Sequence, residues 1–128
     1  MNRLLFVCTE NSCRSQMAEA FAKMYGGDKV EAISAGSSPL GVVNEKAITA
    51  MAELGYDLST HRSKSLDDMP AVTFDYVVTM GCGDACQSVP ARNRVDWDIA
   101  DPKHMAPEPF NSVRDDIAAR VKTLLSGL

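Results

Sequence analysis

The sequence predicts an α/β fold, a single-domain three-layer sandwich around a four-stranded parallel sheet. Three observations point there. Leu4-Leu5-Phe6-Val7 is a continuous apolar run of the kind found in strands buried on both faces. From Ser15 the pattern turns helical, with Met17, Ala20, Phe21 and Met24 at i, i+3, i+4 and i+7. Strand-like and helix-like segments then alternate along the chain, which implies parallel strands joined by helical crossovers. No repeat, low-complexity stretch or Pro/Gly/Ser linker interrupts the 128 residues, so 1–128 reads as one domain.

The elements follow in order. The first strand feeds a loop of small polar residues and a helix from Ser15 that Gly26-Gly27 stops. Val30 to Ala35 is a second strand ending at Gly36. The loop through Pro39 and Gly41 leads to a helix with Ala47, Ile48, Met51 and Leu54 on one face, closed by Gly55. Residues 57–70 are polar and turn-rich, and Phe74 to Thr79 is a third, β-branched strand. After a loop from Gly81 to Ala91, Val95 to Ile99 reads as a short fourth strand broken by Asp101-Pro102. A last helix, Asn111 to Leu125, aligns Val113, Ile117, Val121, Leu124 and Leu125. In such sheets ligands bind beyond the carboxyl ends of the strands. That edge receives Cys8 from the first strand and Gly81-Cys82 from the third.

Composition narrows the function. The 13 Lys+Arg and 17 Asp+Glu leave a net charge of −4, and no basic run offers a footprint for nucleic acid or an anionic membrane. The apolar run after Met-Asn-Arg is too short for a signal-peptide core or a membrane span, which predicts a cytoplasmic protein. In a reducing compartment its four cysteines are expected to be reactive or metal-binding.

Cys8-Thr9-Glu10-Asn11-Ser12-Cys13-Arg14-Ser15 runs from a buried strand into a helix N-terminus, with Cys8 and Arg14 six residues apart. Such a turn makes an oxyanion cradle. Loop N–H groups converge, the helix dipole adds positive potential, and Arg14 offers a planar fork. The same field favours thiolate over thiol at Cys8, and Ser15 supplies a hydroxyl donor to it. Nucleophile and cradle together suit attack on a tetrahedral oxyanion such as phosphate or arsenate. The blander alternative is an inert buried Cys8 beside a surface Arg14, against which the strand, the helix, Ser15 and the turn-forming Asn11 all count. A zinc site built from Cys8, Cys13, Cys82 and Cys86 is disfavoured by the guanidinium among them.

These motifs give the chain a resemblance to the thioredoxin-coupled arsenate reductases, which share the low-molecular-weight tyrosine phosphatase fold. It is carried by CTENSCRSQMAEA at 8–20, SAG at 34–36, the cysteine-containing loop after VVT at 77–79, and Asp101-Pro102, and it extends from about Arg3 to Leu125. The resemblance implies a catalytic set of Cys8, Arg14, Cys82, Cys86 and Asp101, an oxyanion loop of residues 9–15 and no bound cofactor. It also implies a monomer that takes arsenate and draws electrons from thioredoxin or a glutaredoxin-type thiol. In the phosphatases of this fold, Asp101's position protonates the leaving phenol. Those enzymes also carry aromatic side chains in the loop after the third strand, and none stands between Gly81 and Ala91 here. That favours the reductase over the phosphatase, and a non-catalytic oxyanion or redox-sensing module is the third reading. In the expected relay Cys8 attacks arsenic, Cys82 attacks Cys8 sulfur, and Cys86 attacks Cys82, with Gly81 and Gly83 supplying backbone freedom.

Three departures from the family pattern carry expectations. The resolving cysteines are closer together than usual, Cys82-x3-Cys86, a spacing that one helical turn still bridges. If that bridge fails, Cys82 would be reduced directly, or Cys13 would be the partner of Cys8; the default for Cys13 is packing or oxidative protection. Some relatives bind potassium through positions that fall on Asn11, Glu19, Ser34 and Lys64. A lysine at the fourth position predicts a potassium-independent protein with Lys64 paired to Glu19. Glu10 stands where the family often has glycine, and its carboxylate is expected to face solvent. His61 and His104 read as surface groups, His61 with an optional hydrogen bond towards the oxyanion loop.

Overall fold

The computed structural model describes residues 2–81 and 89–128. Its elements are β1 (Asn2–Cys8), α1 (Arg14–Gly26), β2 (Val30–Gly36), α2 (Glu45–Ala52), β3 (Phe74–Thr79), β4 (Ala91–Asp96) and α3 (Pro107–Ser126), with short 3-10 turns between them. The four strands lie in the order β2-β1-β3-β4 and pair in parallel throughout. β1 is central because its apolar run tolerates burial on both faces. Leu4, Phe6 and Cys8 point into one apolar cluster and Leu5 and Val7 into the other.

The larger cluster holds the helices. Met17 and Phe21 of α1, Met51 of α2, and Phe110 and Ile117 of α3 pack against Phe6, Val78 and Trp97. On the opposite face Val77, Phe74 and Ala35 are covered by Leu66, Met69, Val72 and Val89. The β1 register sets Cys8 beside Gly36, so the nucleophile candidate and the SAG motif arrive at the same sheet edge.

Four sequence expectations shift. The fourth strand is Ala91–Asp96, four residues earlier than its apolar pattern suggested, because an edge strand paired only with β3 need not be apolar. The last helix begins at Pro107, where proline at the first turn needs no N–H partner. α2 stops at Ala52, and Leu54 lies beyond it, exposed. Met24, although on the predicted apolar stripe of α1, is also exposed.

Candidate active site

The loop of residues 9–15 is held by backbone hydrogen bonds to its neighbours and by a layer of polar side chains. Thr9 O accepts from Ser38 N at 2.8 Å, Glu10 O from Leu40 N at 2.9 Å and Ser12 O from Asn44 N at 3.0 Å. Asn11 turns the chain with φ +50°, the left-handed conformation that asparagine tolerates better than most residues. Gly36 lets this happen. A Cβ there would stand 2.6 Å from Thr9 O and 3.0 Å from Asn11 N, so the loop lies directly on glycine backbone. No side chain caps the N-terminus of α1, and its first turn carries no acidic residue, which leaves helix N–H groups and positive potential for an anion.

Cys8 is buried at the base of this loop, its Sγ 2.9 Å from Ser15 Oγ. Ser15 Oγ itself accepts from Asn11 Nδ2 at 2.8 Å. The hydroxyl proton is therefore free to point at the sulfur. Arg14 lies along the rim, donating from Nη1 to Ile99 O at 2.9 Å, with Nη2 3.9 Å from Asp101 Oδ2. Gly81, at φ +87°, presses against the same guanidinium; a Cβ there would sit 2.9 Å from Nη1. Thr9 Oγ1 donates to Gly81 O at 3.1 Å, tying the oxyanion loop to the end of β3. Arg14, Thr9 and Asp101 thus meet at one rim through Gly81, with Cys8 buried below it. Cys82 and Cys86 lie outside the described residues.

Cys13 is buried, and burial first, then the Asp101 charge, push its thiol up to about 12. It remains a neutral thiol at physiological pH.

Beneath the loop sits a polar layer that the sequence pattern only partly announced. Gln16 is fully buried, and its Nε2 faces Asn11 O at 3.1 Å, Asn11 Oδ1 at 2.9 Å and Arg62 O at 2.8 Å. Its Oε1 is left to accept from His61 Nδ1 at 3.0 Å, which fixes the proton on Nδ1 and turns Nε2 to the Tyr56 hydroxyl at 2.6 Å. A directed chain of hydrogen bonds therefore runs from Tyr56 through His61, Gln16, Asn11 and Ser15 to Cys8. The surface expectation for His61 is corrected: its side chain is only 3% exposed, and burial holds its imidazole below the usual histidine range. His104 is exposed as expected.

Glu19 is buried in the same layer. Oε1 accepts from Ser34 Oγ at 2.8 Å and lies 3.5 Å from Lys64 Nζ; Oε2 takes Lys23 Nζ at 2.8 Å and lies 3.3 Å from His61 Nδ1. Burial alone would push this carboxyl up. The Lys23 hydrogen bond and the Lys64 and His61 charges outweigh burial and hold it below the usual carboxylate range. Asn11 Oδ1 is also taken, by Gln16 and by Lys64 N at 2.7 Å. Each side-chain oxygen of Asn11 and Glu19 faces a hydrogen donor, and the Lys64 ammonium 3.5 Å from Glu19 Oε1 would repel a cation. These residues do not fit a cation.

Glu10 does not simply face solvent. Its Oε1 accepts from Lys103 Nζ at 2.8 Å.

The profile described as low molecular weight phosphotyrosine protein phosphatase matches residues 3–128. The chain belongs to that family. Within the family it is similar to arsenate reductases: to "Arsenate reductase 1" of Bacillus cereus, 44% identical over 123 residues, 93% of this chain and 90% of that one. Among solved structures, "An arsenate reductase in the phosphate binding state" superposes with a TM-score of 0.88 at 35% identity, over 99% of this chain and 98% of the other. The thioredoxin-dependent arsenate reductase of Corynebacterium glutamicum superposes with a TM-score of 0.82 at 32% identity, over 99% of this chain and 61% of that longer one. The family fold with its parallel four-stranded sheet is the one described above.

Proposed function

We propose that this phosphatase-family chain is an arsenate reductase acting through the Cys8 thiolate. The observation that carries the reading is the placement of Cys8 Sγ at the uncapped N-terminus of α1, under a Ser15 hydroxyl and beside Arg14, in a chain 44% identical to a protein named arsenate reductase. Arsenate is held by loop N–H groups and the Arg14 fork. Cys8 sulfur bonds to arsenic as one arsenate oxygen, protonated, leaves as water. Cys82 thiolate then attacks Cys8 sulfur. The sulfur–arsenic bond breaks with its electron pair going to arsenic, which gives arsenite and a Cys8–Cys82 disulfide. Cys86 thiolate displaces Cys8 to form Cys82–Cys86, and a thioredoxin-class dithiol reduces that bridge.

Residues 1–128 act as one domain and as a monomer, in a reducing cytoplasm and without nucleic-acid or membrane partners. No helix among the described residues is long and apolar enough to cross a membrane. The buried, neutral Cys13 is assigned to packing or to oxidative protection of Cys8.

A phosphatase is the second reading, favoured by the carboxylate of Asp101 3.9 Å from Arg14, where it would serve a leaving group as general acid. The two readings separate in one measurement. Reduced protein mixed with arsenate is expected to lose two thiols and two hydrogens of intact mass, and Cys82→Ser is expected to give no catalytic turnover with thioredoxin. Phenyl phosphate hydrolysis with no thiol loss on arsenate would establish the phosphatase instead.

Because two lysines and a serine already engage Glu19, exchanging potassium for sodium at constant ionic strength is expected to leave arsenate kcat/KM unchanged. A several-fold rise with potassium would show that a cation enters after all.

A further inference from the structure

An acidic side chain in a loop that must hold an anion needs a reason to be tolerated. Glu10 has one in Lys103, whose Nζ lies 2.8 Å from Glu10 Oε1 although the two are 93 residues apart. Both side chains are about a third exposed, at 29% and 32%. Lys103 is itself well placed. Its backbone N–H donates to Asp101 Oδ1 at 3.1 Å, and Lys46 of α2 donates from Nζ to the carbonyls of Lys103 and Met105, each at 3.0 Å. Arg14 holds the start of the same segment through Ile99 O. The ammonium of Lys103 is thus presented to the oxyanion loop from a pinned backbone.

The backbone of Glu10 is fixed independently of its side chain, since its carbonyl accepts from Leu40 N at 2.9 Å and from Ser63 Oγ at 3.2 Å. Changing the carboxylate therefore changes charge and leaves the loop path in place. An unpaired carboxylate repels an incoming oxyanion, whereas a carboxylate in contact with an ammonium presents only a dipole, whose field decays faster with distance.

Resting on the arsenate-reductase reading of this loop, we propose that Lys103 is a positioning residue for oxyanion loading. It neutralises Glu10, so that an acidic residue in the oxyanion loop does not oppose substrate binding, and it does this without touching the oxyanion.

The test uses inorganic phosphate as the probe, read as protection of Cys8 from alkylation by the neutral reagent iodoacetamide, with the modified peptide quantified by mass spectrometry. Lys103→Met is expected to weaken phosphate binding by about two- to fivefold, the scale of a partly exposed ion pair. Lys103→Arg restores it. Glu10→Gln is expected to bind at least as tightly as the unmodified protein, and the Glu10→Gln/Lys103→Met pair to return close to it. The deficit of Lys103→Met shrinks in high salt, because screening weakens the exposed Glu10 charge. In arsenate turnover the same variant raises KM with little change in kcat.

A Lys103→Met protein that binds like the original overturns the proposal. So does a double variant as weak as Lys103→Met alone, since the effect would then be geometric and not electrostatic. Unmodified protein that phosphate does not protect at any concentration overturns the oxyanion reading of the loop, and this proposal with it.

Discussion

Replacing Cys8 by serine is expected to reduce arsenate turnover to background while phosphate binding stays within about tenfold of the original. The asymmetry follows from what the sulfur does and what it does not do. In the proposed site, oxyanion binding draws on the loop N–H groups, the N-terminus of α1 and Arg14, none of which the substitution removes. In the proposed reaction the electrons come through sulfur, and a serine at position 8 offers Cys82 no arsenic-bound sulfur to attack, so no disulfide forms. Arsenate turnover coupled to thioredoxin, thioredoxin reductase and NADPH gives the first number, and protection or calorimetric titration with phosphate gives the second. Cys8→Ser protein that still consumed NADPH with arsenate would remove Cys8 from the reaction.

Ser15→Ala sits between these limits. The Ser15 hydroxyl accepts from Asn11 Nδ2 and is free to give its own proton to the proposed Cys8 thiolate. In the proposed thiolate mechanism, deleting this hydrogen bond is expected to lower arsenate turnover about tenfold to a hundredfold. The graded loss separates a residue that stabilises the nucleophile from one that is the nucleophile.

The site was legible where one segment of sequence contains the whole geometry. Cys8, Arg14, Ser15 and Asn11 lie in eight consecutive residues between a buried strand and a helix, so spacing alone brings them together. The pairing of Lys64 with Glu19 needed a position-by-position family resemblance, because the residues are 45 apart and nothing local joins them. Gln16, His61 and Tyr56 were missed as a relay for the same reason. Gln16 falls on the buried side of α1, where the helical period expects apolar residues, and that polar intrusion was the available signal. Lys103 gave none, since an exposed-looking lysine after Asp101-Pro102 acquires meaning only when the fold brings it to Glu10. The apolar pattern places β4 too late for a related cause: Ala91–Asp96 is polar because it is an edge, and pattern recognises burial better than pairing.

Glu19→Gln is expected to cost on the order of 3 kcal/mol of folding stability, the lower end of what removing one partner from a buried ionic cluster costs. The lower end applies because Lys23, 46% exposed, can turn into water when the carboxylate is gone. Lys64 is only 17% exposed, so it keeps its position and loses its counter-charge. Urea unfolding should show the midpoint fall at constant slope. The pH dependence has a definite sign. Glu19 is held below the usual carboxylate range, so its contribution is complete above the unfolded-state value of about 4.3 and drains away as pH falls through its lower folded-state value. His61 is also depressed, which makes the folded state resist its protonation and adds a loss that begins on the acid side of about 6.5. The native protein should therefore lose stability in two stages on acidification, and Glu19→Gln should lack the lower one. Unchanged acid sensitivity in Glu19→Gln would show that the cluster is neutral overall and that the stability of the loop rests on Gln16 and Asn11 instead.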